Sequence, residues 1–263
     1  MLKEPAQPRR PVPMNGAMPL PPPQPGRFVS PTDGTEQTYL LDMPQGVAAG
    51  LLVYLHGATN HQEQGMTEGI YHDSFGFIRR WAAGRGWAYL CPEYRGDSWM
   101  NAAAEVDLDC LIEDVCRRAE TRKVLLMGGS MGGTAALIYA CRHPRQLAGV
   151  LALCPATDMA DRHKLAMLRA GIETAYGGDP QSKPAVYQER SSIRHAAGLA
   201  SLPVFIAHGE ADQTIPVRHS RDMAAELERL GGPVRYVEIP GGDHDAPARP
   251  TYIAQGLEWL TGG

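Results

Sequence analysis

The sequence predicts an α/β fold: a mostly parallel central sheet flanked by helices, with one small helical insertion. Three observations predict it. Short, nearly unbroken apolar runs, such as GLLVYLH at 50–56 and LAGVLALC at 147–154, read as strands buried on both faces. These runs alternate with amphipathic stretches from residue 50 onward, the order of a parallel sheet. A glycine-rich turn, LLMGGSMGGTA at 125–135, joins one apolar run to a helix-forming stretch.

Taken in order, residues 1–26 hold nine prolines and few large apolar side chains, which predicts a flexible tail. One α/β domain is expected over 27–263. The run QTYLLDM at 37–43 reads as a strand, as does 50–56. Residues 74–83 read as a helix, and WAYLC at 87–91 as a strand ended by Pro92. A helix is expected over 102–119, with Val106, Cys110, Leu111 and Val115 on one face. Strands follow at 123–127 and 147–154, separated by a helix at 131–142. Strands at 202–208 (LPVFIAH) and 234–239 (VRYVEI) enclose a helix at 217–230, whose Met223, Leu227 and Leu230 share a face. A last helix is expected at 251–260. Residues 155–201 break the rhythm and are too long for a plain connection, so a helical insertion near the site rim is expected there.

Composition narrows the function. A net charge of -4 gives no polybasic signal for nucleic acid or for a membrane surface. No run approaches the roughly 18 apolar residues of a membrane-spanning helix. The N-terminus lacks the apolar core of a secretion signal, which favours the cytoplasm. The five cysteines form no CxxC and lie in or beside apolar segments, so they read as reduced core thiols. No metal-ligand spacing, phosphate loop or dinucleotide fingerprint occurs, and no cofactor is expected.

The turn at 128–132 reads Gly-Gly-Ser-Met-Gly, a G-x-S-x-G pattern with a strand before it and a helix after it. Such a turn lifts the Ser130 hydroxyl above the sheet and aims amides at the helix N-terminus toward a developing oxyanion. A serine hydroxyl is a weak nucleophile at neutral pH; it needs a base, and the base needs an orienting acid. Asp212 follows the strand at 202–208, and His244 follows the strand at 234–239, giving the order serine, acid, histidine. Asp158 and Glu210 are the rival acids, and Asp243 and Asp245 are expected in turn roles. The oxyanion donors are expected to be the amides of Met131 and of Ala58, in the loop His56-Gly57-Ala58-Thr59-Asn60. His56 itself reads as a buried turn residue.

The chain resembles the α/β-hydrolase superfamily, and within it the catalytic domain of the prolyl oligopeptidase family and related stand-alone esterases. The resemblance rests on GGSMGG around Ser130, EYRGDSW at 93–99, YGGDP with Tyr187 and RSS at 190–192, HGEADQTIPV at 208–217 and PGGDHD at 240–245. It covers roughly residues 37–261. It implies a catalytic triad of Ser130, Asp212 and His244, places the loop of Tyr94, Arg95 and Gly96 near the substrate, and puts Trp99 and Met100 beside a pocket. The family's peptidases usually carry a β-propeller ahead of this domain, where this chain shows a proline-rich tail. The loop HGATNHQ also departs from the family's HGGP type with its nearby tyrosine. Both departures favour small or exposed esters over proline-directed cleavage. The polar run from Thr59 to Gln64 suggests a polar substrate, such as an acylated sugar. Three functions stay open: hydrolysis of a carboxylic ester, hydrolysis of short peptides by the same residues, and a non-catalytic binding protein of this fold. The expected partner is a small ester or a short peptide.

Overall fold

The computed structural model describes residues 20–66, 72–164 and 166–262. The strands are β1 (Gln24–Val29), β2 (Glu36–Asp42), β3 (Leu51–Leu55), β4 (Ala88–Pro92), β5 (Val124–Gly129), β6 (Gly149–Leu153), β7 (Val204–Gly209) and β8 (Val234–Ile239). They form one sheet in the order β1-β2-β4-β3-β5-β6-β7-β8. The first two pairings are antiparallel and the other five are parallel.

Helices cover both faces: α1 (His72–Gly84), α2 (Ala102–Arg118), α3 (Met131–Arg142), α4 (Met159–His163), α5 (Arg169–Tyr176), α6 (Pro184–Glu189), α7 (Arg218–Arg229) and α8 (Pro250–Thr261). Strand β3 shows why its sequence reads as an unbroken apolar run. Leu51, Val53 and Leu55 point into the core shared with α2, α3 and α7, while Leu52 and Tyr54 point into the core shared with α1 and α8. Both faces are dry, so no position alternates to polar. The expected insertion is present as α4, α5, α6 and a 3-10 segment at Ser192–Leu199. No described helix is long and apolar enough to cross a membrane.

The structure differs from the sequence reading in three places. Strand β1 begins at Gln24, inside the stretch read as tail; residues 1–19 of that stretch lie outside the described residues. As an edge strand bonded only to β2, it tolerates Pro25 and mostly exposed side chains. Helix α2 buries Ala104, Leu108, Leu111, Ile112 and Val115, while Val106 and Cys110 are exposed. The cysteines are free, but only Cys91 and Cys154 are buried.

Helix α2 also buries two acids, Glu105 and Asp107. Glu105 receives Arg190 at 2.5 Å, Arg142 at 2.5 Å and His143 at 2.9 Å, tying α2 to α3 and to the insertion. Burial works against its charge, but the hydrogen bonds from these three side chains prevail and hold the carboxyl at about 2. Its contribution is therefore present above the ordinary carboxyl value and is lost as pH falls toward about 2. Replacing Glu105 with Ala leaves the Arg190 side chain, only 2% exposed, short of its main counter-charge. The expected cost at neutral pH is about 3 kcal/mol. Urea titrations from neutral to acid pH check this: the gap between wild type and Glu105→Ala should narrow as pH falls.

Candidate active site

The parallel strands β5, β6, β7 and β8 end on one edge of the sheet, and the loops leaving them carry the site. Ser130 stands between β5 and α3 at φ 56° and ψ -120°, a backbone region that residues with a Cβ rarely adopt. Its amide donates to Leu153 O at 2.9 Å, and its carbonyl accepts from Thr134 N and Oγ1, each at 3.0 Å. Two flanking glycines make the turn sterically possible. A Cβ on Gly132 would lie 2.0 Å from Leu55 O, and one on Gly128 would lie 2.5 Å from the Gly132 carbonyl carbon. The helix thus enters against bare backbone, and the serine is held at its tip.

Asp212 lies in the loop after β7 and is 6% exposed. Its Oδ1 accepts the amides of Thr214 at 2.7 Å and Ile215 at 2.9 Å. Its Oδ2 lies 2.6 Å from His244 Nδ1 and 3.1 Å from His208 Nε2. Burial opposes the carboxylate's charge, but His208, His244 and the Ile215 amide hold its pKa well below the carboxylate range. The same contact acts on His244 in the opposite sense. Burial disfavours the imidazolium, yet Asp212 and the neighbouring Cys154 outweigh it, and the His244 pKa is raised.

Sequence reasoning missed His208. It ends a strand-like run and carries no motif of its own, but it sits four residues before Asp212 and shares that residue's oxygen. Its other nitrogen meets Ser220 Oγ at 2.7 Å. The rival acids are engaged elsewhere. Asp158 caps α4 through the Asp161 amide, and Glu210 accepts the Gly241 amide at 2.9 Å. Asp243 closes a turn onto Ala246 N.

Ser130 and His244 line one cleft of about 320 Å³ with Ala58, Thr59, Asn60, Gln64, Phe75, Leu153, Met167 and Leu168. In the loop after β3, Gly57 N donates to Gln64 Oε1 at 2.8 Å and Thr59 N to Asp97 Oδ1 at 2.7 Å. Between them, the Ala58 amide makes no hydrogen bond among the described residues, and the same holds for the Met131 amide at the first position of α3. Both amides are therefore free to donate elsewhere.

Other expected positions lie elsewhere. Tyr94 is 2% exposed and donates its hydroxyl to His56 O at 2.6 Å. Arg95 is bound to Asp107 at 2.6 Å and to Asp33 at 2.7 Å. Trp99 and Met100 are fully buried in the core. None of these four borders the cleft; they build the loop behind it. His56 is buried, with its ring nitrogens at 2.9 Å from Gly57 O and 3.0 Å from Glu93 O. The polar run from Asn60 to Gln64 also spends its side chains internally, with Asn60 on Ala58 O and His61 on Glu93. The atoms of Cys154, Asp212 and His244 lie within 4.8 Å of one another, a spacing that a cation could share, with the Asp212–His244 hydrogen bond already occupying two of them.

Nine non-glycine residues among those described have positive φ. Eight of them, Thr59, Tyr94, Arg95, Trp99, Met100, Ser130, Cys154 and Leu168, lie beyond the carboxyl ends of β3 to β6. Strain at Ser130 has a measurable consequence. Ser130→Gly relieves the φ constraint and gives back part of that gain as unfolded-chain entropy, so the variant should be about 1 kcal/mol more stable than wild type. Chemical denaturation compares the two, and a less stable glycine variant would contradict the strained turn.

The comparisons with known proteins agree with this architecture. The model of the prolyl oligopeptidase family (peptidase S9) matches residues 108–262. An uncharacterized peptidase, YtmA, of Bacillus subtilis (strain 168) is 26% identical over 193 residues, covering 68% of this chain and 73% of that protein. Pyrococcus horikoshii acylaminoacyl peptidase superposes with a TM-score of 0.72 at 16% identity, over 92% of this chain. This chain spans only 41% of that protein's length. An S-formylglutathione hydrolase from Agrobacterium tumefaciens superposes with a TM-score of 0.71 at 17% identity, over 90% of this chain and 94% of that one. At such identities the structural likeness speaks for the fold alone. The family match spans more than half of the chain: it belongs to the prolyl oligopeptidase family of α/β-hydrolases and is a serine hydrolase.

Proposed function

We propose that the chain hydrolyses carboxylic esters through Ser130, His244 and Asp212. Ser130 Oγ attacks the acyl carbon while His244 Nε2 takes its proton. Asp212, on Nδ1, holds the ring in the required tautomer and stabilises the imidazolium. The oxyanion forms between the Met131 and Ala58 amides, neither of which has an internal partner among the described residues. Collapse of this intermediate releases the alcohol with the proton from His244. Water then repeats the sequence on the acyl-enzyme, returning Ser130.

The observation that carries the ester reading is the cleft itself. Its volume of about 320 Å³ is at the small end for a ligand site, and Phe75, Leu153, Met167 and Leu168 give it an apolar wall. That space suits a short acyl group better than an extended peptide. The family's peptidases make cleavage of short peptides the alternative outcome.

A series of p-nitrophenyl esters of increasing acyl length, run beside matched peptidyl anilides, decides between them. Ester turnover is expected, with an optimum at short acyl chains, no anilide cleavage, and at least a 10³-fold loss in Ser130→Ala. Comparable rates on anilides would move the chain to the peptidase reading. Failure of a fluorophosphonate to label wild-type Ser130 would remove the nucleophile from the proposal.

The raised pKa of His244 sets the pH dependence. Catalysis needs the neutral ring, and Asp212 favours the cation, so activity is lost as pH falls through the raised value. The acid limb of kcat/KM should therefore have its midpoint above the ordinary histidine value of 6.5. In Asp212→Asn the midpoint should move down, together with a large loss of kcat.

A further inference from the structure

Arg162, in the short helix α4, is fully buried. None of its three guanidinium nitrogens has a hydrogen-bond partner among the described residues. A buried guanidinium left wholly unpaired is rare, because desolvating the charge without compensation is costly. Its surroundings supply one cation–π contact and no hydrogen-bond acceptor among the described residues. The guanidinium carbon sits 5.8 Å from the Trp99 ring, whose Nε1 is itself buried and unpaired. The carboxylate whose charge reaches it is Asp212. That carboxylate already accepts four hydrogen bonds, from His208, His244 and the amides of Thr214 and Ile215. Its acceptor sites are filled, so Arg162 feels its charge and makes no bond to it.

The position of Arg162 ties it to the cleft. Along the chain, helix α4 runs between Cys154 and the pair Met167 and Leu168, and these three line the cleft with Ser130. Thr214, two residues beyond Asp212, lines it as well. Arg162 thus lies within reach of the charge of Asp212, the partner of the cleft residue His244, with a planar cationic fork and no hydrogen bond of its own. Such a fork matches a carboxylate, which can accept two parallel N–H bonds. Four rotatable side-chain bonds let the guanidinium meet a group entering from the cleft.

We propose that Arg162 is a specificity residue that binds a carboxylate carried by the substrate, so that the preferred esters are anionic half-esters. The proposal rests on the ester-hydrolase reading of the same cleft. In the free protein the guanidinium is an unfavourable buried charge. A bound carboxylate supplies the missing acceptor, and the interaction energy is available to position the acyl carbon at Ser130.

The test compares kcat/KM for p-nitrophenyl hemisuccinate and hemiglutarate with that for neutral p-nitrophenyl esters of matched length. A second arm uses butyrate esters with the carboxylate on the alcohol side, which reports the end of the substrate that Arg162 reads. Wild type should favour the anionic member by at least 10-fold in one arm. Arg162→Met should abolish that preference, and Arg162→Lys should lower it by less. Arg162→Met should also melt at a higher temperature than wild type, because an apolar side chain of similar length replaces an unpaired buried charge. A binding arm keeps the question apart from catalysis. Glutarate should raise the melting temperature of Ser130→Ala protein, and should fail to do so for the Ser130→Ala, Arg162→Met double variant. If no ester is turned over but glutarate protection depends on Arg162, the ester reading fails and the carboxylate site stands. An unchanged charge preference in Arg162→Met, or a lower melting temperature with no loss of glutarate protection, would overturn the proposal.

Discussion

The contact on which the rest of the site depends involves no side chain. Helix α3 enters so close to β3 that Gly132 leaves no room for a Cβ beside Leu55 O, and Gly128 leaves none beside Gly132. That approach forces the chain at Ser130 into its unfavourable turn and brings the Ser130 amide onto Leu153 O. Backbone packed on backbone has no rotamers to change, so the position of Ser130 is set by the sheet itself.

The loops around this contact are cross-braced by polar side chains. Asp97 holds the Thr59 amide, Gln64 the Gly57 amide and Glu93 the His61 ring, while Tyr94 bonds the His56 carbonyl. Arg95 anchors the whole loop to Asp107 and Asp33. Residues whose types suggest substrate recognition are thus spent on architecture. Among the donors left without a hydrogen bond in the described residues are the Ala58 amide beside the cleft, the Met131 amide at the start of α3 and the guanidinium of Arg162.

The sequence made the sheet legible because burial on both faces leaves a signal in single segments. LLVYL at β3 or GVLAL at β6 has one reading only once its flanking turns are seen. Ser130 was legible for a related reason, since its local sterics demand glycines at fixed offsets. Asp212 and His244 were legible through their order and their place after strands. What was not legible depends on distant partners. Glu105 and Asp107 look like surface residues of a helix until Arg190, 85 residues away, and Arg95 are seen beside them. Val106 looks like a core residue for the same reason, because the charges displaced it to the outer face. Strand β1 carries a proline and few apolar residues, as an edge tolerates, and it disappeared into the proline-rich stretch. His208 and Arg162 have no local pattern at all; only burial and hydrogen bonding single them out.

The positive-φ backbones of the described residues cluster beyond β3 to β6, at the carboxyl rim of the sheet. The body of the sheet is relaxed, whereas its carboxyl rim is a spring held in place by neighbouring loops. When such a rim loosens it gains conformational freedom and sheds strain together, without breaking the strands below it. Warming should therefore blur the rim while the sheet remains intact, and the working temperature range of the molecule would be set by its edge and not by its core.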